Sequence, residues 1–186
     1  MRQFNGHTQR GASLVEVLIA MVILAIGLLG LVGLQSRLQI LQMESYQRAQ
    51  ALILLDDMAS RIALNRNVAG TYVTGSPLGS GMTCPVANTT RVERDVRDWC
   101  VALQGAAETR GGSNVGVMVG GRGCVESLGV GTDEYMVTVA WQGLAPVSAP
   151  PDSVTCGAGS YDGGTACVGD LCRRAVTTLV RIATLT

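Results

Sequence analysis

QRGASLVEVLIAMVILAIGLLGLVGLQSR, residues Gln9–Arg37, decides how the chain is read. From Val17 to Leu34 no side chain is polar, and those eighteen residues lie at the lower end of what crosses a bilayer as a helix. One acid, Glu16, is planted at the start of this run, six residues after the flanking charge of Arg10. An ionisable group at that depth is costly, so by default it points to function. The first eleven residues carry Arg2, His7 and Arg10 and no acid. Basic residues before the span predict a cytoplasmic N-terminus, with the remainder exported. A secretory signal is shorter and ends in a small-residue cleavage site. Here Gln35-Ser36-Arg37 follows instead, and the helical pattern continues.

Beyond Arg37 the apolar residues Leu38, Leu41, Leu52, Leu55, Ala59 and Ile62 recur at helical spacings. Arg37, Gln42, Glu44, Arg48, Asp56 and Arg61 take the other faces. This predicts one helix of some fifty residues, roughly 75 Å at 1.5 Å per residue, amphipathic from 35 to 66. Gly27, Gly30 and Gly33 each weaken it relative to Ala. After Val68 the composition shifts to Gly, Ser, Thr and Val. RVERDVRDWCVALQ, residues 91–104, predicts a short helix with Val92, Val96, Trp99 and Leu103 on one face. Strands are expected at Val115–Val119, over EYMVTVAWQG (134–143), and in the C-terminal segment with Val176, Thr178, Val180 and Ile182 on one face. A Gly/Pro/Cys-rich loop, Leu144 to Cys172, separates the last two.

The six cysteines, Cys84, Cys100, Cys124, Cys156, Cys167 and Cys172, all lie beyond the apolar segment, and an even count there reads as a disulfide set in an oxidising compartment. No C-x2-C pair supports zinc. Fifteen connectivities are open, with a lean toward a local bridge among Cys156, Cys167 and Cys172. The 14 basic residues, all Arg, balance 14 acidic ones, so no electrostatic footprint for nucleic acid exists. Without Lys there is no Schiff-base or P-loop lysine chemistry, and His7 is the sole imidazole, which leaves the exported part without a histidine base. Glu93, Asp95 and Asp98 among Arg91, Arg94 and Arg97 read as exposed helix ion pairing, and Asp56-Asp57 as solvated. Asp152, Asp162 and Asp170 lack the spacing of a calcium loop. No glycine-rich stretch fits a phosphate-binding fingerprint, and no cofactor is expected.

Together these features describe an exported α+β domain on a long N-terminal helix with a short basic leader. Arg10-Gly11 followed by Ala12-Ser13-Leu14-Val15-Glu16 and the apolar run resembles the class III signal of the type IV pilin superfamily. More narrowly, DWC at Asp98–Cys100, YMVTVAW and CRR at Cys172–Arg174 are similar to the PilV-like minor pilins, also called type IV pilus modification proteins. The resemblance implies a long helix packed on a small antiparallel sheet. It also implies a membrane prepilin peptidase that cuts between Gly11 and Ala12 and methylates the amine of Ala12, where most members carry Phe. Glu16 then becomes the fifth residue of the mature chain and pairs with the N-terminal amine of a neighbouring subunit during assembly.

The expected division is a leader over 1–11, a membrane or filament-core segment over 12–34, an amphipathic segment over 35–66 and an exported head over 67–186. Expected partners are other minor and major pilins, the prepilin peptidase and the inner-membrane assembly platform. The expected location is the bacterial inner membrane with the head in the periplasm, then the pilus on the cell surface. A pseudopilin of a type II secretion system shares these features. A membrane-anchored periplasmic enzyme is the competitor from another class, and a tip adhesin using the 144–172 loop is a further possibility.

Overall fold

A computed structural model describes residues 13–105, 109–110, 113–114, 118–129 and 133–183. Helix α1 runs from Leu14 to Leu64 and a 3-10 turn follows over Arg66–Tyr72. Next come β1 (Leu78–Gly79), α2 (Arg91–Leu103), β2 (Thr109–Arg110), β3 (Ser113–Asn114), β4 (Arg122–Ser127), β5 (Glu134–Gln142), a short 3-10 turn (Val168–Asp170) and β6 (Arg173–Arg181). The chain divides into two compact units, residues 1–42 and 43–186. In the second unit an antiparallel sheet of order β1-β4-β5-β6 packs on the part of α1 beyond Met43; β2 and β3 pair separately. This is the expected α+β arrangement, a long N-terminal helix packed on a small antiparallel sheet.

The stripe by which α1 meets the sheet is Gln47, Ala51, Leu55, Met58 and Ile62. It differs from the expected one. Leu38, Leu41 and Leu52 are exposed, whereas Gln47 is fully buried. A stripe spaced four, four, three and four residues apart stays on one side of a 3.6-residue helix, and Leu52 falls one position off it. Burial therefore follows helix geometry over hydropathy at Gln47.

Helix α2 occupies the predicted segment because its start is doubly specified. The Thr90 hydroxyl accepts from the Glu93 amide at 3.2 Å, and the Glu93 carboxylate accepts from the Thr90 amide at 2.9 Å, a complete capping box. The Thr89 hydroxyl and the amides of Thr89 and Thr90 hold the Glu93 pKa below its usual range. Trp99 and Leu103 are buried and Val92 and Val96 half-buried on the expected face.

The strand expected at Val115–Val119 is described only at its end. Residues 115–117 fall outside the described residues, Met118 and Val119 are not extended in a strand, and β4 forms at Arg122–Ser127. Its Gly123 explains why a glycine-bearing segment is extended here. A Cβ at that position would lie 2.3 Å from the Trp99 ring, so only glycine lets the indole lie on the strand. The predicted β5 spans Glu134–Gln142, and Tyr135, Val137, Val139 and Trp141 face the core. Thr138 and Ala140, on its other face, are buried as well. Cys156 and Tyr161 bring the loop after β5 onto that side, with Cys156 bonded to Cys124 of β4.

The acids of α2 are not simply surface pairs. Asp95 is buried, and its carboxylate accepts from the Tyr72 hydroxyl at 2.6 Å and from Arg61 Nη1 of α1 at 2.8 Å; Arg91 lies 3.5 Å away. Asp57, expected to be solvated, accepts from Arg61 Nε at 2.9 Å. Burial lowers the Arg61 pKa, but Asp57 and Asp95 reverse this and hold it above its ordinary value. Asn65 Nδ2 completes the cluster by donating to the Tyr72 oxygen at 2.8 Å. Periodicity places Asp95 next to polar neighbours on its own helix, and only tertiary contact reveals that it turns inward.

Asp95→Ala strips Arg61 and Tyr72 of a buried acceptor, and thermal unfolding of the detergent-solubilised chain should show about 3 kcal/mol of lost stability. Asp57→Ala, at a half-exposed pair, should cost no more than about 1 kcal/mol. Burial raises the pKa of Tyr72, reinforced by Asp95, and burial likewise raises that of Tyr161. A raised phenol pKa means stability that is complete below the ordinary value of about 10 and lost as pH climbs above it. Unfolding midpoints measured from pH 8 to 12 should be level at first and then fall, with a shallower fall for Tyr72→Phe.

Candidate functional site

The N-terminal unit carries the first set of candidate residues. Gly11 and Ala12 lie outside the described residues. Ser13 precedes α1, and its hydroxyl accepts from the Glu16 amide at 3.2 Å while its carbonyl accepts from the amides of Glu16 and Val17. That is the N-cap arrangement, and Ser13-Leu14-Val15-Glu16 has the S-x-x-E spacing that announces it in sequence. Glu16 therefore sits in the first turn of the helix, where the aligned peptide dipoles favour a negative charge. Its side chain is exposed, and its carboxylate pairs with no group among the described residues.

Around it the apolar residues of α1 are exposed on every side. Leu14, Leu18, Met21, Leu24, Leu28 and Leu31 are each more than half exposed. The helix is long and apolar enough to cross a membrane, and none of its most apolar window is buried. Gly27, Gly30 and Gly33 have nothing within 4 Å of where a Cβ would sit, so no intramolecular contact requires them. An apolar surface of this extent requires another apolar phase or a partner to cover it.

The head unit holds the second set. The cysteines form three disulfides, Cys84–Cys100, Cys124–Cys156 and Cys167–Cys172. The first ties the segment before α2 to that helix, the second ties the long loop to β4, and the third closes the loop's end just before β6. Among the described residues no group of three or more His, Cys, Asp or Glu side chains is arranged to hold a metal ion. The acids of the loop serve the backbone instead. Asp162 Oδ1 accepts from the Asp170 amide at 2.8 Å and Asp170 Oδ1 from the Gly159 amide at 2.9 Å.

The two arginines that follow Cys172 anchor this loop at both ends. Arg173, almost wholly buried, donates from Nη1 to the carbonyls of Val154 and Cys156 and forms an ion pair with Asp170 at 3.0 Å. Arg174 donates from Nη2 to the Ala145 carbonyl at 2.7 Å and to Glu44 of α1 at 3.1 Å. Glu44 also accepts from the Leu144 amide at 3.2 Å, so one helix carboxylate holds the start of the loop and the arginine beyond its end. A Cβ on Gly143 would lie 2.6 Å from the Arg174 guanidinium, which explains glycine at that corner. Tyr161 pins the middle: its hydroxyl donates to the Gly120 carbonyl at 2.8 Å, and Arg122 stacks 5.0 Å from the ring centroid. Sequence reading singled out the arginine pair only as a resemblance and did not assign Glu44. No local signal could have done so, because its partners lie 100 and 130 residues away.

Residues 6–32 match the family model described as the prokaryotic N-terminal methylation motif. The matched span takes in Gly11, Ala12, Ser13, Glu16 and most of the apolar run. It is a type IV prepilin-like leader and supports the type IV pilin superfamily, the class of membrane-anchored structural subunits that pass through a prepilin peptidase and associate with other pilins. No curated protein and no solved structure gave a significant match to this chain.

Glu44→Ala should release both ends of the 144–172 loop from α1. A part-buried charged hydrogen bond lost at each end is worth about 1.5–3 kcal/mol in total, and limited proteolysis should show cleavage inside the loop before any cut in β4 or β5.

Proposed function

We propose that this chain is a PilV-like minor pilin that takes a place in, or primes, a type IV pilus and acts without turnover of a substrate. The observation that carries the reading is the methylation motif over 6–32 running into an exposed apolar helix whose first turn holds Glu16. In this reading residues 1–11 are the leader, 12–34 the membrane and filament-core part, 35–66 the amphipathic part and 67–186 the periplasmic head. The prepilin peptidase cuts after Gly11, whose lack of a side chain leaves the backbone open at the membrane face. Ala12 then carries the methylated amine.

The role of Glu16 follows from its surroundings. Ser13 caps the Glu16 amide, and the Glu16 carboxylate makes no capping hydrogen bond among the described residues. A lone carboxylate in lipid costs about 2.5–3.5 kcal/mol at the helix centre, and less near the interface. Pairing with the cationic N-terminus of an adjacent subunit removes that cost in one register only. The pair supplies specificity of docking more than net affinity, because both charges must be desolvated to form it. Other minor and major pilins and the inner-membrane assembly platform are the partners, and the subunit moves from the inner membrane to the pilus on the cell surface.

N-terminal peptide and intact mass spectrometry of untagged protein from its own membrane fraction should find a chain that begins at N-methylated Ala12 with six oxidised cysteines. Gly11→Val should leave the chain uncut. Glu16→Ala should be cut and methylated normally, yet its level in sheared surface pili should fall by about tenfold or more, the equivalent of 1.4 kcal/mol. A chain still starting at Met1 would sink the reading. Correct processing with loss of protein secretion, in place of pili, on deletion would assign it to a type II secretion pseudopilus.

A further inference from the structure

The three disulfides share a pattern that no single bridge displays. Each cysteine is bonded to a neighbour in chain order: Cys84 to Cys100, Cys124 to Cys156 and Cys167 to Cys172, 16, 32 and 5 residues apart. Among the fifteen pairings open to six cysteines, this is the one in which no bridge encloses or crosses another. Chain entropy alone does not select it. Loop closure grows costlier with length, so in a chain released whole Cys156 meets Cys167, eleven residues on, about fivefold more readily than it meets Cys124. Cys100 meets Cys124 only about twofold less readily than it meets Cys84. Wrong bridges therefore compete in the unfolded chain, and they are not corrected late. Cys100, Cys124, Cys156 and Cys172 are buried in the folded head, beyond the reach of another protein's thiol.

Order of arrival does select the observed set. In a head exported from its N-terminal side, Cys100 appears when only Cys84 is free, Cys156 when only Cys124 is free, and Cys172 when only Cys167 is free. The critical interval separates Cys156 from Cys167. At about 5–20 residues per second, eleven residues take roughly 0.5–2 s. Disulfide formation takes seconds to hours depending on the oxidant, so only a fast, catalysed oxidation fits that interval. We propose that a protein thiol oxidase closes the bridges one at a time as the head emerges, and that the native set forms without a disulfide isomerase. The first cysteine of each pair, Cys84, Cys124 or Cys167, attacks the oxidase disulfide as a thiolate and forms a mixed disulfide. Its partner, Cys100, Cys156 or Cys172, then attacks the chain's sulfur of that mixed disulfide. The chain gains one S–S bond and loses two electrons, and the oxidase leaves as a dithiol with those electrons and two protons. This rests on the pilin reading, in which the head is exported.

Full-length Cys124→Ser separates the two routes. Cys156 then has no waiting partner, so ordered capture should join it to Cys167 and leave Cys172 as a free thiol. Closure in the whole chain should favour Cys167–Cys172 instead, by about threefold over Cys156–Cys167, and leave Cys156 free. Pulse-labelled chains are quenched with an alkylating agent and their bridges mapped by non-reducing peptide mass spectrometry, a readout that does not need the variant to fold. Wild type should show the three consecutive bridges alone, equally in a host without periplasmic disulfide isomerase. In a host without the thiol oxidase it should carry about tenfold more free thiol at the same time point. Three results would each overturn ordered loading alone: Cys167–Cys172 exceeding Cys156–Cys167 in Cys124→Ser, crossed or nested wild-type bridges in the isomerase-free host, or unchanged oxidation without the oxidase. Wild-type chains whose six cysteines stay reduced in intact cells overturn the exported head and this proposal with it.

Discussion

The indole of Trp99 is the contact on which the head depends. It is fully buried, lies against Gly123 of β4, and donates from Nε1 to the Leu54 carbonyl of α1 at 2.8 Å. One side chain on α2 thus meets both the sheet and the long helix. The fit demands glycine on the strand, an unfavourable residue there by propensity, and the ring's packing and hydrogen bond offset that loss. Asp95 works one turn earlier on the same helix, where it draws Arg61 and Tyr72 into a buried cluster. Truncating one partner of such a cluster costs more than the cluster contributes net, so its effect is to make other packings of α2 unfavourable.

Legibility followed locality. The 51-residue helix, α2, β5 and β6 were readable because each carries its own period and, for α2, its own cap. The buried stripe of α1 departs from the apolar pattern because Leu38, Leu41 and Leu52 are apolar yet exposed, and Gln47 is polar yet buried. Strand β4 was missed because RGCVES has neither alternation nor β-propensity, and it is extended only through pairing with β5 and the approach of Trp99. Asp95 reads in sequence as a surface acid because its partners Arg61 and Tyr72 are 34 and 23 residues distant. In the candidate site, Gly11, Ala12 and Glu16 lie in a linear motif that is legible locally, whereas Glu44 and the arginine pair work only across the fold.

The 144–172 loop illustrates how a long irregular segment can be held without secondary structure. Segments of this length inside a compact domain need an account of their ordering. Here two disulfides, the buried guanidinium of Arg173, the Glu44–Arg174 pair and the Tyr161 ring divide the loop into short spans, each closed at low entropic cost. Arg suits this work better than Lys, because one planar fork satisfies several carbonyls and a carboxylate at once. A chain that uses Arg for every basic residue has that geometry available wherever a positive charge falls.

The same separation of duties explains Glu16. A carboxylate three residues after a serine at a helix start could simply complete a capping box, as Glu93 does with Thr90. At α1 the serine half is in place: the hydroxyl of Ser13 accepts from the Glu16 amide. The acid's half is not: no hydrogen bond to the Glu16 carboxylate forms among the described residues. The carboxylate is left exposed at the start of a long exposed apolar surface. It lies within the methylation motif over residues 6–32, which implies association with other pilins. Under the docking proposed above, the cost of leaving that charge unpaired is what discriminates between registers, because a neighbour in any other register leaves the charge as it was.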